Sequence, residues 1–172
     1  VLCPFVEAKP GSPLLAMGAR SLAMWDSWVE QIRSRTSTPF HYDRSGTLEI
    51  ALNPDEAAHL EAASTWLTAE RVAHEWLPGS ALRECEPQSG DSAEAGLLIT
   101  SHGFVQVSAL IAALMDSARQ QGCVCETPTE VFHVEERKEM AGVRAANLPA
   151  SDAIEFDHVV IAAGPWSRRV RV

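Results

Sequence analysis

The sequence predicts an α+β chain, and three patterns carry that expectation. A strand-like stretch at 40–52 leads into a helix at 54–71, and an extended HEWLP at 74–78 leads into a short helix at 80–85. A third helix, starting at about Val107, feeds a strand at Gly122. Strand-then-helix units of this kind, with no internal repeat, are what a packed sheet-and-helix domain looks like in sequence.

Residues 1–13 carry three prolines and a glycine and read as an irregular lead-in. From Pro13 to about Arg35, Leu15, Leu22, Trp25, Val29 and Ile32 form one apolar stripe at helical spacing. Ser37-Thr38-Pro39 ends it. In FHYDRSGTLEIAL, Leu48 and Ile50 alternate with Thr47 and Glu49, and Gly46 marks a bulge or turn. Asn53-Pro54-Asp55-Glu56 is a helix start, with an N-cap, proline at the first position and acids in the first turn. That helix is expected to bury Leu60, Ala63 and Leu67. The stretch 88–94 reads as a surface loop and Ala95–Thr100 as a strand, with a turn at Ser101-His102-Gly103. Val107, Leu110, Ile111, Leu114, Met115 and Ala118 then give a helix that stops at Gly122. A strand carrying Cys123 and Cys125, a short antiparallel meander and a buried strand VVIAAG at 159–164 complete the chain.

A net charge of -9 excludes a nucleic-acid or anionic-membrane partner, since both need a basic face. No apolar run approaches the roughly 20 residues of a membrane span. The N-terminus lacks the basic head and apolar core of a secretory signal, so a cytoplasmic location is expected. Cys3, Cys85, Cys123 and Cys125 lack metal-ligand spacing and read as reduced, mostly buried thiols; no metal site is expected.

Six segments, in order, resemble one family. VLCPFVEA has Glu7-Ala8 in register with an M-L-x-x-x-x-E-A segment, with Val1 where methionine is usual. SGTLEIAL is similar to a G-x-L-x-L-A strand, and Glu86-Pro87 to an E-P turn. SHGFVQVSAL resembles G-x-V-D/E-P-x-x-L, with Gln106 and Val107 replacing the acid and proline, which weakens the helix start. Gly122 with Val131 inside TPTEV, and VVIAAGPWS at 159–167, match the end of a flavin-binding domain. The chain thus resembles the D-amino-acid-oxidase superfamily of FAD-dependent oxidoreductases, most closely the glycine oxidases of thiamine synthesis.

The resemblance implies a substrate (capping) domain portion with mixed or antiparallel sheet and helices at 1–106. It also implies the second half of an FAD-binding, glutathione-reductase-type Rossmann domain at 107–172. It implies FAD as cofactor and a small amine or amino acid as substrate. Carried over by position, Val131 touches the adenine side through its backbone, Ala163, Gly164 and Trp166 line the FAD groove, and Val1 and Leu2 lie near the isoalloxazine. The ten glycines hold no G-x-G-x-x-G, so the pyrophosphate clamp has no counterpart here. The family's substrate-binding arginine and active-site tyrosine correspond to positions beyond Val172. No catalytic acid, base or nucleophile is assigned, and the chain alone is expected to be inactive and to lack stoichiometric FAD.

Other polar residues read as structural. His102 is expected at a turn, His133 on a solvated strand face shared with Val131 and Glu135, and Glu135-Glu136-Arg137-Lys138 as a solvated hairpin. His41-Tyr42-Asp43-Arg44 could face a substrate cavity or be an exposed strand end. The tryptophans at 25, 28, 66, 76 and 166 read as core or cavity lining. The competing expectation is a stand-alone, non-catalytic binding or assembly module whose exposed apolar groove drives homo-oligomerisation or holds a partner.

Overall fold

The structure, a computed structural model, describes residues 1–137, 140–146 and 153–172. The chain divides into two compact units, Val1–Cys123 and Val124–Val172.

In the first unit, helix α1 (Pro4–Glu7) shapes the lead-in that the sequence leaves irregular, and helix α2 (Pro13–Arg33) follows. Ser12 caps α2 by accepting from the Leu15 N–H at 3.3 Å, with Pro13 preset for the first turn. Helix α3 (Pro54–Ala69) begins at the N-cap Asn53. The Asn53 side chain accepts from Glu56 N–H at 2.9 Å, and the Glu56 carboxylate accepts from Leu52 N–H at 2.8 Å.

FHYDRSGTLEIAL does not form a hairpin with itself. Strand β1 (Tyr42–Asp43) pairs with β5 (Phe104–Val105), and β2 (Thr47–Ala51) pairs with β4 (Ala95–Ile99), both antiparallel. Strand β3 (Glu75–Pro78) pairs along the other edge of β4, giving the sheet order β2-β4-β3. Alternation along β4 separates the two cores. Leu97 and Ile99 pack against Leu67 of α3, with Phe5, Leu60, Ala63 and Trp66 around them. Leu98 points the other way, joining Leu48, Ile50 and Leu77 against Leu82 of helix α4 (Gly79–Cys85).

Helix α5 (Val107–Gln120) starts without a side-chain cap, as the Gln106-Val107 sequence foretells. It packs inside this unit: Leu110 and Ala113 meet Val29, Ile32 and Phe40. Its apolar set is wider than its buried face, because Val107 and Ile111 are exposed. Asp116 on α5 accepts from the Thr36 and Thr38 hydroxyls and from Gln120, which ties α5 to the segment ending α2.

In the second unit, β6 (Val131–Arg137), β7 (Met140–Ala145) and β8 (Ile154–Phe156) form the expected antiparallel meander. Register places Val134, Val143 and Ile154 in one row and Glu135, Gly142 and Glu155 in the next, so one face is mostly apolar, Glu136 apart, and the other carries charge. Arg171 bridges the free edge of β6 in parallel: its N–H donates to the Phe132 carbonyl at 2.9 Å and its carbonyl accepts from Val134 N–H at 2.8 Å.

Two expected strands do not form. Residues 123–126 have no strand, and Val124 is 83% exposed. Val159–Ala163 is likewise without strand pairing, with Val160 86% exposed, and Gly164 opens a 3-10 turn running to Arg169. An interior strand takes its hydrogen bonds and its burial from neighbours, and among the described residues none pairs with either stretch. The thiols differ as well: all four cysteines are free, but only Cys3 is buried, and Cys85 and Cys123 are exposed. Lys138 at the expected charged hairpin lies outside the described residues.

Gly103 closes the β1–β5 corner. A Cβ there would stand 2.2 Å from the Asp43 carbonyl oxygen, a backbone atom that cannot swing aside. Gly103→Ala is expected to destabilise the chain by about 2–3 kcal/mol in urea unfolding, with little change in the slope of the transition.

Candidate functional site

Residues 41–44, read as a strand end that could face a cavity, form a charged knot. Arg44 donates to the Ser101 carbonyl at 2.6 Å, the Leu22 carbonyl at 2.7 Å and both oxygens of Asp26 at 3.2 and 3.0 Å. The Tyr42 hydroxyl donates to Asp26 at 2.5 Å, and its ring stacks on Trp25 at 6.0 Å between centroids. The Arg44 hydrogen bond, with that from Tyr42 second, holds the Asp26 carboxyl below the usual range. The knot joins α2, β1 and the β4–β5 turn, so its function is architectural. Arg44→Gln is expected to cost about 2–4 kcal/mol, since it leaves two carbonyls without their charged donor; equilibrium unfolding measures this.

His102 lies at the expected turn, its N–H donating to the Ile99 carbonyl at 3.2 Å, but its imidazole points away from solvent. Its side chain is fully buried, stacks on Phe5 with ring centroids 5.5 Å apart, and neither ring nitrogen has a hydrogen-bond partner among the described residues. Burial, and secondarily the Arg44 charge, push its pKa from 6.5 down to about 4. The unfolded chain takes up this proton as pH falls through 6.5, whereas the folded chain resists until about 4. Stability is therefore lost across that window and is unaffected above it. We expect about 1–3 kcal/mol less stability at pH 4 than at pH 7 from this group. Melting His102→Leu beside the wild type at both pH values isolates it, and equal pH slopes would contradict it.

A hydroxyl–imidazole pair escaped the sequence reading. Ser64 on α3 lies 3.0 Å from His74 Nε2, while His74 Nδ1 donates to the Val72 carbonyl at 2.8 Å. Ser64 sits mid-helix, where neighbouring backbone N–H groups are spent on helix bonds, so no oxyanion-binding donors face it. The pair fastens α3 to the approach of β3. Among the described residues no cluster of three or more His, Cys, Asp or Glu could hold a metal.

The residues assigned to a flavin by resemblance fall in both units. Val1 is exposed and Leu2 pairs with Gly103, both in the first unit. In the second, Val131 is 37% exposed on β6, and a register shift beside it turns its side chain to the face opposite His133 and Glu135. His133 pairs weakly with Glu135 at 4.0 Å, and Glu135 with Arg144 at 3.3 Å. Ala163 is half-buried, Gly164 has φ +52°, and Trp166 is 59% exposed. A Cβ on Gly164 would meet nothing within 4 Å. Open backbone beside an exposed indole fits the flank of a nucleotide. The pyrophosphate clamp, which needs a glycine-rich strand-to-helix turn, has no counterpart in this sequence.

The chain superposes on glycine oxidase from Geobacillus kaustophilus with a TM-score of 0.87 and 25% identity, covering 98% of this chain and 44% of that one. Glycine oxidase from Bacillus cereus gives 0.84 and 25%, covering 95% and 44%. Iminodiacetate oxidase from Chelativorans sp. shares the fold at 0.78 and 19% identity, covering 97% and 44%. The bifunctional protein ThiO/ThiG of Synechocystis sp. is 23% identical over 99% of this chain and 24% of its own length. The sequence matches the family described as FAD dependent oxidoreductase (DAO) across residues 1–172, and the chain belongs to that family. It spans about a quarter of that curated relative and under half of the glycine oxidases. FAD is the cofactor of the full-length family.

Proposed function

We propose that this chain is the middle portion of a glycine-oxidase-like FAD-dependent oxidoreductase acting on a small amine or amino acid, and that by itself it is inactive. The observation carrying this reading is the TM-score of 0.87 to a glycine oxidase over nearly the whole chain. The ThiO/ThiG relative supports a connection to thiamine synthesis.

In this reading residues 1–106 supply part of the substrate-capping domain and 107–172 part of the FAD domain. Helix α5 leads from one to the other while packing on α2. Val131 would meet the adenine side, Ala163, Gly164 and Trp166 one wall of the groove, and Val1 and Leu2 the flavin ring. FAD, when bound, supplies the two-electron acceptor for oxidation of a C–N bond. This chain's residues contribute position and exclusion of water, and no catalytic acid or base is assigned among them.

Two measurements test the reading. Purified alone, the 172-residue chain is expected to carry no stoichiometric FAD and to release no peroxide with glycine; a yellow, active preparation would refute the inactivity. In a protein that also supplies a glycine-rich turn, Gly164→Asn is expected to lower flavin content at least tenfold. Asparagine tolerates a positive φ better than other side chains, so bulk rather than strain is what it probes. Unchanged flavin would remove Gly164 from the groove.

The second reading, a non-catalytic assembly module, draws on the outer face of α2. Met17, Met24 and Trp28 lie exposed there along one apolar groove, and Leu14 is exposed on the same helix. Light scattering separates the two, since a strictly monomeric chain at high concentration counts against self-assembly.

A further inference from the structure

The first unit holds a cleft of about 540 Å³ that the flavoprotein reading leaves unused. Phe5, Leu22 and Val72 give it apolar lining, together with Ala19, Ala23 and Ala73. Four charged side chains, Asp26, Arg44, Glu70 and Arg71, also line it. This is the make-up of a small-molecule site: an apolar body with a few placed polar groups.

The charges are not equivalent. Asp26 and Arg44 satisfy one another in the knot described above. Glu70 and Arg71, adjacent at the end of α3, make no ion pair among the described residues. Arg71 is also the one described non-glycine residue with positive φ, at +58°. It occupies the position after the helix end, where Arg71 N–H meets the Thr68 carbonyl at 3.1 Å and Val72 N–H the Leu67 carbonyl at 2.9 Å. Glycine is the residue that fits this position without strain, and a side chain there is disfavoured. An exposed arginine held in a glycine's place, on the lining of a cleft, is a cation maintained against backbone preference.

We propose that this cleft binds a small zwitterion with an apolar body, its carboxylate on Arg71, its ammonium on Glu70 and its body over Phe5, Leu22 and Val72. A simple anion would meet the unpaired carboxylate of Glu70, and a simple cation the unpaired guanidinium of Arg71. Only a ligand bearing both charges answers both groups. The site uses none of the residues assigned to the flavin, so it stands or falls apart from the flavoprotein reading.

The test is calorimetric titration of the 172-residue chain with leucine, isovalerate and isoamylamine, the last two each lacking one charge. Leucine is expected to bind at least tenfold more tightly than either. Arg71→Gly removes the guanidinium and the strain together, so it folds with a melting temperature no lower than wild type and loses leucine binding at least tenfold. Glu70→Gln is expected to weaken leucine while leaving isovalerate unchanged or tighter. Absence of leucine binding to the wild type, equal binding of the three probes, or undiminished leucine binding by folded Arg71→Gly would each overturn the proposal.

Discussion

The first unit depends on one guanidinium. Arg44 reaches from the end of β1 to carbonyls on α2 and on the β4–β5 turn while gripping Asp26. Three elements distant in sequence are fixed by donors that only arginine can spread over a planar fork. The pair itself is half in solvent, with Arg44 24% and Asp26 62% exposed, so its Coulomb energy is small. What matters is that buried carbonyls receive charged donors, which leaves the chain little freedom at this junction.

Behind the knot lies a dry corner. His102 is sealed against Phe5, its backbone carbonyl accepts from Gly46 and its neighbour Gly103 pairs with Leu2. Gly103 permits this because no Cβ separates it from Asp43. The segment bearing Leu2 is thus held by the same turn that Arg44 anchors.

The second unit is built differently. Its sheet has one charged face, with His133, Glu135 and Arg144, and one mostly apolar face, with Val134, Val143 and Ile154. Ile154, Phe156, Val160 and Ile161 remain exposed. Apolar residues in that pattern are written for burial against neighbours, and the chain spans under half of the glycine oxidases it superposes on.

Local chemistry made much of this legible in the amino-acid string. The cap at Asn53 with the proline after it, and the period of Leu22, Val29 and Ile32, marked two of the helices, because each signal acts within one or two turns. The order of short segments from VLCPFVEA to VVIAAGPWS carried the family. Contacts across long separations decided the rest. Nothing near residue 102 announces a buried imidazole, and nothing near 44 announces its partners at 22, 26 and 101. VVIAAG reads as a central strand by composition, yet a strand exists only where another backbone answers its hydrogen bonds, and that is a property of the assembled fold rather than of six residues.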